Sequence, residues 1–393
     1  MNTLAHGLAE RGHKIFVIFP RPAVNGTTAV TLSHVRPRVD AYCIWLPAGD
    51  GYEKGFNEML VLVARQIIES GRAVDVIHCH SNHCLPAIRS LSEAYTIPVV
   101  STVHAIHVPM VYEVKRKKGV AVSSGEEKQY LQNVSRTSAL CCSSERIVAV
   151  SQAMTRLIQK YYRVHAEKLC LVHNGVDVKK LVAPRDDNQV NRLKSKLGLK
   201  GRVVLFSGRM EPIKGVCRFA EAVKEVCREN RNVSVVLLGN GSADRWLRSY
   251  LNSLANVHFV DWMPWDQTIA FYHLADIVVV PSLIEPFGLV AVEAMACRNC
   301  VIVSEADGLD EIVSDGVNGL KVPLFVDRVG DRDISAQEIR DRLVWALEED
   351  GERDELAESG ISRAWEFSCD RMAKGVEAVY SEAAGTHGHR VGG

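Results

Sequence analysis

Residues 276–297 constrain the fold of this chain more than any other stretch. Asp276-Ile-Val-Val-Val-Pro-Ser282 contains a short, continuous β-branched run closed by Pro281, which reads as a strand buried on both faces. After a loop, Leu289-Val-Ala-Val-Glu293-Ala-Met-Ala reads as a helix opening near Gly288, apolar nearly all round and so buried too. A buried strand leading into a buried helix is the repeating unit of a parallel sheet covered on both faces.

The rest of the chain repeats that unit. Strands are expected at 14–19, 42–46, 74–79, 98–103, 146–151 and 168–172. A second set is expected at 202–207, 233–239, 257–260, 276–280 and 300–304. Helices are expected at 1–12, 53–70, 85–95, 126–138 and 152–161, and again through most of 334–384. The fold class is therefore α/β, with two doubly wound domains. A length of 393 residues also exceeds one ordinary core. The expected division is 1–180, a polar linker at 181–200, 201–364, a last helix at 365–384 and a disordered tail at 385–393.

Lys plus Arg and Asp plus Glu both total 47, which argues against nucleic acid held by a broad basic field. No apolar run approaches the roughly 18 residues of a membrane span, and no signal peptide is visible. Eleven scattered cysteines, most in apolar segments, fit a reduced, cytoplasmic setting. Cys297-Arg-Asn-Cys300 has redox spacing but lies between two buried elements, and no second Cys or His pair accompanies it as a metal site would need. Lys115-Arg-Lys-Lys118 reads as a solvated loop, or as a contact for an anionic acceptor or a membrane surface.

Charged residues at strand ends carry the chemistry. Glu293, set among Val290, Val292, Ala294 and Met295, needs hydrogen-bonding partners. A hydroxyl-rich ligand or a structural Arg or Lys could supply them. Glu285 lies in the loop ahead of that helix. Ser207-Gly-Arg209-Met-Glu-Pro-Ile-Lys214-Gly215 also follows a strand and precedes a helix, and its guanidinium and ammonium suit a pyrophosphate. His104 ends the strand Val100-Ser-Thr-Val, with His107 a weaker candidate, and His80 is the best of three histidines in His78-Cys-His80-Ser-Asn-His83. His173-Asn-Gly-Val-Asp177 and Gly316-Val-Asn-Gly319 read as turns, and Gly239-Asn-Gly241-Ser242 as a glycine loop after a strand.

Glu285-Pro-Phe-Gly-Leu-Val-Ala-Val-Glu293 resembles the E-x(7)-E signature of retaining glycosyltransferases, with the Pro-Phe-Gly-Leu filling typical of glycosyltransferase family 4. The stretch from Gly208 to Gly215 resembles the family's G-R-x(4)-K-G donor-phosphate loop, and His104 its strand-end histidine, with Ala105 where an Asp is usual. The resemblance implies a GT-B fold, two Rossmann-like domains facing a cleft. It implies a retaining transferase that moves a sugar from a nucleotide-sugar donor, UDP favoured, to a small soluble acceptor, with no metal and no cofactor. Arg209, Lys214, Glu285, Phe287, Gly288, Leu289 and Glu293 would bind the donor, His104 and Glu285 would be catalytic, and His80 would face the acceptor. Family members usually begin with a strand and a glycine-rich loop, so the first N-terminal strand is apparently missing here. That departure keeps a non-catalytic partner subunit open. A GT-B sugar-nucleotide epimerase generally lacks the E-x(7)-E arrangement, and no G-x-G-x-x-G follows an early strand to suggest a nicotinamide oxidoreductase. Oligomeric state is not legible.

Overall fold

The β-branched runs become parallel strands in the computed structural model, which describes residues 2–23, 26–184 and 186–391. The chain divides into two units: residues up to Gly175 together with those from Cys369 onward, and Val176–Ser368 between them.

The second unit is built on six parallel strands in the order Val257–Val260, Val233–Leu238, Arg202–Ser207, Ile277–Val280, Cys300–Ser304, Leu320–Val322. The chain winds outward from Arg202–Ser207 to one edge, then returns beside it with Ile277–Val280 and winds to the other. Ile277 pairs with Val204 on one side and Cys300 on the other. The loops after these two strands therefore leave the sheet side by side where the strand order reverses, the place at which doubly wound sheets bind ligands. Val204, Phe206, Val235, Leu237, Val279 and Ile302 pack with Phe219 and Val223 of the helix Val216–Glu229 and with Ile339 and Leu343 of Ala336–Glu348. Each such side chain contributes about 1.5–3 kcal/mol by leaving water.

The stretch read as a polar linker belongs to this unit. It holds the helix Asp187–Leu197, capped by Asp186 and seated through buried Val190.

The first unit carries two sheets. Ile77–Cys79, Val99–Val103, Arg146–Ala149 and Leu169–Leu171 form a parallel sheet in that order. Ile15–Pro22, Val39–Leu46 and Ala29–Arg36 form a smaller one. Ala29–Arg36 runs antiparallel to Val39–Leu46 and is exposed throughout, an edge strand whose mixed polar pattern hid it from a search for buried runs. Among the described residues the two sheets are not hydrogen-bonded to each other, yet they share a core. Phe16, Ile18, Ile44 and Leu46 of one, and Cys79 and Val99 of the other, pack with Phe56, Leu60, Ile88 and Leu91. Ile15–Pro22 has one strand neighbour and is only half-buried, whereas Val99–Val103 is buried throughout.

The basic run is not a loop. Lys115, Arg116 and Lys117 close the helix His107–Lys117, where positive charge favours the helix terminus, and Lys115 and Lys117 pair with Glu126 and Glu113. The expected helix 126–138 is longer, Ser124–Ser143, because Ser123 and Glu126 form a capping box at its start. The helix Cys369–Val391 belongs to the first unit and seats Ala373 and Val376 against Leu4 and Leu8. It continues through residues 385–391, read as a tail, while Gly392 and Gly393 lie outside the described residues, as does Met1 at the start.

Gly215 begins the helix Val216–Glu229 in a left-handed conformation, φ 67°, and a Cβ there would lie 1.8 Å from the Pro281 carbonyl oxygen. Gly198 has the same φ of 67° but nothing within 4 Å of its missing Cβ. Gly198→Ala should cost about 1 kcal/mol, the conformational penalty alone. Gly215→Ala should cost about 2–5 kcal/mol, because strain and a backbone collision add. Urea unfolding of both variants checks this, and equal losses would mean that the close approach carries no weight.

Candidate active site

Four loops meet at the carboxyl ends of the second unit's strands, interlocked by glycines. A Cβ on Gly239 would sit 1.9 Å from the Gly208 carbonyl, and one on Gly241 would sit 2.3 Å from that of Met210. The Met210 amide donates to the Asn240 carbonyl at 3.0 Å, and the Leu283 amide to the Ile213 carbonyl at 2.9 Å. The Ser207–Gly215 loop is thus tied both to Gly239–Ser242 and to the loop leading to Glu285. Glu211 accepts from the Ser242 amide at 3.0 Å and from its hydroxyl, which draws its pKa down.

These ties bring Lys214 to Glu285. The ammonium donates to Glu285 Oε2 at 2.7 Å, and the Ser282 hydroxyl donates to the same oxygen at 3.1 Å. Both partners are largely shielded. The Glu285 amide donates to Asp307 Oδ2 at 3.1 Å, and its carbonyl accepts from the Gly308 amide at 3.0 Å. Asp307 is itself buried against Arg332 at 2.8 Å. Arg209, in contrast, is exposed, and its guanidinium makes no side-chain hydrogen bond or ion pair among the described residues.

Eight residues beyond Glu285, Glu293 is held by neither Arg nor Lys. The Trp265 indole donates to Oε1 at 2.8 Å and the Tyr272 hydroxyl to Oε2 at 2.9 Å. The side chain is half-buried. Burial raises its pKa, and the two hydrogen bonds oppose that rise. Between the glutamates the side chain of Phe287 is buried edge-on to Phe367, with ring centroids 5.5 Å apart. Gly288 takes φ 116° to start the helix Leu289–Ala296. Leu289 is exposed.

In the first unit the histidines form a ladder. His78 is enclosed between Tyr380 and Thr102, with ring nitrogens 2.7 Å from each hydroxyl, and burial holds it neutral well below its ordinary pKa. Its ring stacks on His80 at 4.2 Å, and His80 stacks on His104 at 5.2 Å. His80 Nδ1 and His104 Nε2 are 2.9 Å apart and share a hydrogen bond. Burial brings His80 down to about 3 and His104, whose ring still meets water, to about 4, so both are neutral at ordinary pH.

The sequence reading named Arg209, Lys214, Glu285, Glu293, His80 and His104. It missed Trp265, Tyr272, Ser282 and Asp307, each of which holds a named residue, and Arg332, which holds Asp307. Asp307 had one visible signal, an Asp-Gly pair just beyond the end of the strand Cys300–Ser304. Trp265 had none.

Residues 1–180 match the family model described as Glycosyltransferase Family 4, and residues 187–363 match the model of Glycosyl transferases group 1. The chain belongs to glycosyltransferase family 4. It is an enzyme of the glycosyltransferase class with the GT-B fold. It is 29% identical over 320 residues to a D-inositol 3-phosphate glycosyltransferase of Corynebacterium aurimucosum, covering 79% of this chain and 72% of that one. Its fold is similar to that of Anabaena HepE, solved with UDP and glucose (TM-score 0.68, 19% identity, 88% and 86% of the two chains). It is also similar to that of sucrose-phosphate synthase from Thermosynechococcus elongatus (TM-score 0.75, 20% identity, 96% and 91%). Among the described residues no helix of the glycosyltransferase is long and apolar enough to cross a membrane.

The raised pKa of Glu293 gives a pH signature. Protons bind it more tightly in the folded state, so its contribution to stability is full below the unfolded value of 4.5 and is lost as pH rises through the folded one. Glu293→Gln removes that loss. The stability difference between the glutamine variant and the parent should therefore grow in the variant's favour as pH is raised from about 4.5, read by urea denaturation at a series of pH values. A constant difference would mean that Glu293 ionises without hindrance.

Proposed function

We propose that this glycosyltransferase is a retaining enzyme that moves a sugar from a nucleotide-sugar, UDP-sugars preferred, to a hydroxyl of a small polar acceptor. One observation carries the reading. Arg209 and Lys214 lie in the connection after one strand, and Glu285 and Glu293 in the loop and helix after its neighbour, where the strand order reverses. Arg209 and Lys214 bind the donor diphosphate and stabilise the charge that grows on it as the glycosidic bond breaks. Lys214 is already oriented by Glu285, so the ammonium needs little reordering to meet a phosphate oxygen. Glu293, held by Trp265 and Tyr272, accepts hydrogen bonds from the ribose hydroxyls. Glu285 and the backbone of Phe287, Gly288 and Leu289 hold the transferred sugar.

His104 and His80 serve the acceptor. Being neutral, their pair has a lone pair and an N–H to offer a hydroxyl. The acceptor attacks from the face that the diphosphate leaves, which retains the configuration. The two cations take the part a metal plays in other transferases, so the reaction runs in chelator. The curated relative's acceptor, an inositol phosphate by its name, favours a phosphorylated polyol as acceptor class. The absence of any disulfide among the eleven cysteines supports a reducing, cytoplasmic location.

Calorimetry with UDP tests the donor site. Arg209→Ala and Lys214→Ala should each lose about 1.5–3 kcal/mol of binding, the scale of a hydrogen bond to a charged group. Full affinity in both variants would move the donor elsewhere. Transfer from UDP-glucose to polyol phosphates, with the product's anomeric configuration read by NMR in EDTA, tests the rest. Inversion, or no turnover of any donor, would overturn the reading in favour of another mechanism or a non-catalytic subunit.

A further inference from the structure

Two cysteines lie in contact at the base of the segment that carries His80. Cys79 ends the strand Ile77–Cys79, and Cys84 ends the short 3-10 turn Asn82–Cys84. Their sulfurs are 3.1 Å apart, and both thiols reach the Ser81 carbonyl, at 3.0 and 2.9 Å. The turn that joins them is held from outside. Asn57 donates to the His83 carbonyl and accepts from the Ala87 amide, and Asn82 donates to Thr137. The sulfurs are thus presented to each other by a braced scaffold, and about 1 Å of closure separates them from bonding distance.

We propose that Cys79 and Cys84 are an oxidisable dithiol that hydrogen peroxide converts to an intrachain disulfide. Cys79 is the attacking sulfur, because its contact with Cys84 lowers its thiol pKa, while the same contact and burial raise that of Cys84. It attacks the peroxide, the O–O bond breaks, and one oxygen leaves as hydroxide to become water. Cys79 is left as a sulfenic acid. The Cys84 sulfur then attacks Cys79, the S–O bond breaks, and a second water carries away its proton. Two thiols lose two electrons and one peroxide gains them. Burial raises the Cys84 thiol as it does those of Cys141, Cys227, Cys297 and Cys300, but among the described residues only Cys79 and Cys84 have their sulfurs in contact. The Cys-x-x-Cys spacing at 297–300 is therefore the less reactive pair. This assignment does not depend on the proposed transfer reaction.

The test uses the full chain. It is treated under native conditions with increasing hydrogen peroxide, quenched in acid, denatured and alkylated. Trypsin then releases residues 73–89, which hold both cysteines and no internal Lys or Arg. This peptide should escape alkylation and fall by about 2 Da at peroxide levels that leave Cys297 and Cys300 fully alkylated, and dithiothreitol should reverse the change. Cys84→Ser should instead trap sulfenic acid on Cys79, captured by dimedone. Peptide 73–89 alkylated at both positions while other cysteines oxidise first would overturn the proposal. So would a 2 Da loss that dithiothreitol cannot reverse.

Discussion

Backbone-to-backbone contact at the strand ends is the constraint on which the second unit's site rests. Gly215 lies on the Pro281 carbonyl, Gly239 on that of Gly208, Gly241 on that of Met210, and Gly308 on the backbone of Phe287. None of these approaches leaves room for a methyl group. They draw loops that are distant in sequence into one layer, and only then can Lys214 reach Glu285 across 71 positions of chain. The side-chain chemistry is downstream of the missing side chains.

The charges in that layer are already committed to one another. Lys214 faces Glu285, Arg332 faces Asp307, and Glu293 shares its oxygens between an indole and a phenol. A buried ion left without a partner is costly, so each is held where its partner directs it. Arg209 is different, standing exposed with its guanidinium unclaimed among the described residues. The two cations therefore differ in kind: Lys214 is pre-positioned by an acid, and Arg209 is free to adjust.

Much of this was legible in the sequence, for identifiable reasons. Runs such as Ile277–Val280 are readable because a strand covered on both faces has no polar positions to dilute the signal. Ala29–Arg36 was not readable, since an exposed edge strand has no buried face to print a period. Glu285, Glu293, Arg209 and Lys214 stood out as charges beside apolar segments. Trp265 and Tyr272 did not, because an aromatic residue in an apolar helix reads as core until its polar atom is seen to meet Glu293. The histidine ladder was half-visible. His78 and His80 alternate along one strand end, but His104 joins them through sheet register, with His78 beside Val100, and local spacing does not carry that information.

The first unit is completed only by the helix Cys369–Val391, whose Tyr380 hydroxyl meets His78. The second unit is an uninterrupted segment whose two ends are bridged, Val176 to Ser368. On a ribosome the order of domain completion is therefore inverted. The later-encoded unit has its whole sequence available while the earlier one still lacks its final helix, and the emerging first unit must hold the Leu4, Leu8 and Val100 surfaces uncovered through nearly two hundred further residues of synthesis. A chain ending near residue 368 would hold the whole sequence of the second unit and a first unit without its last helix.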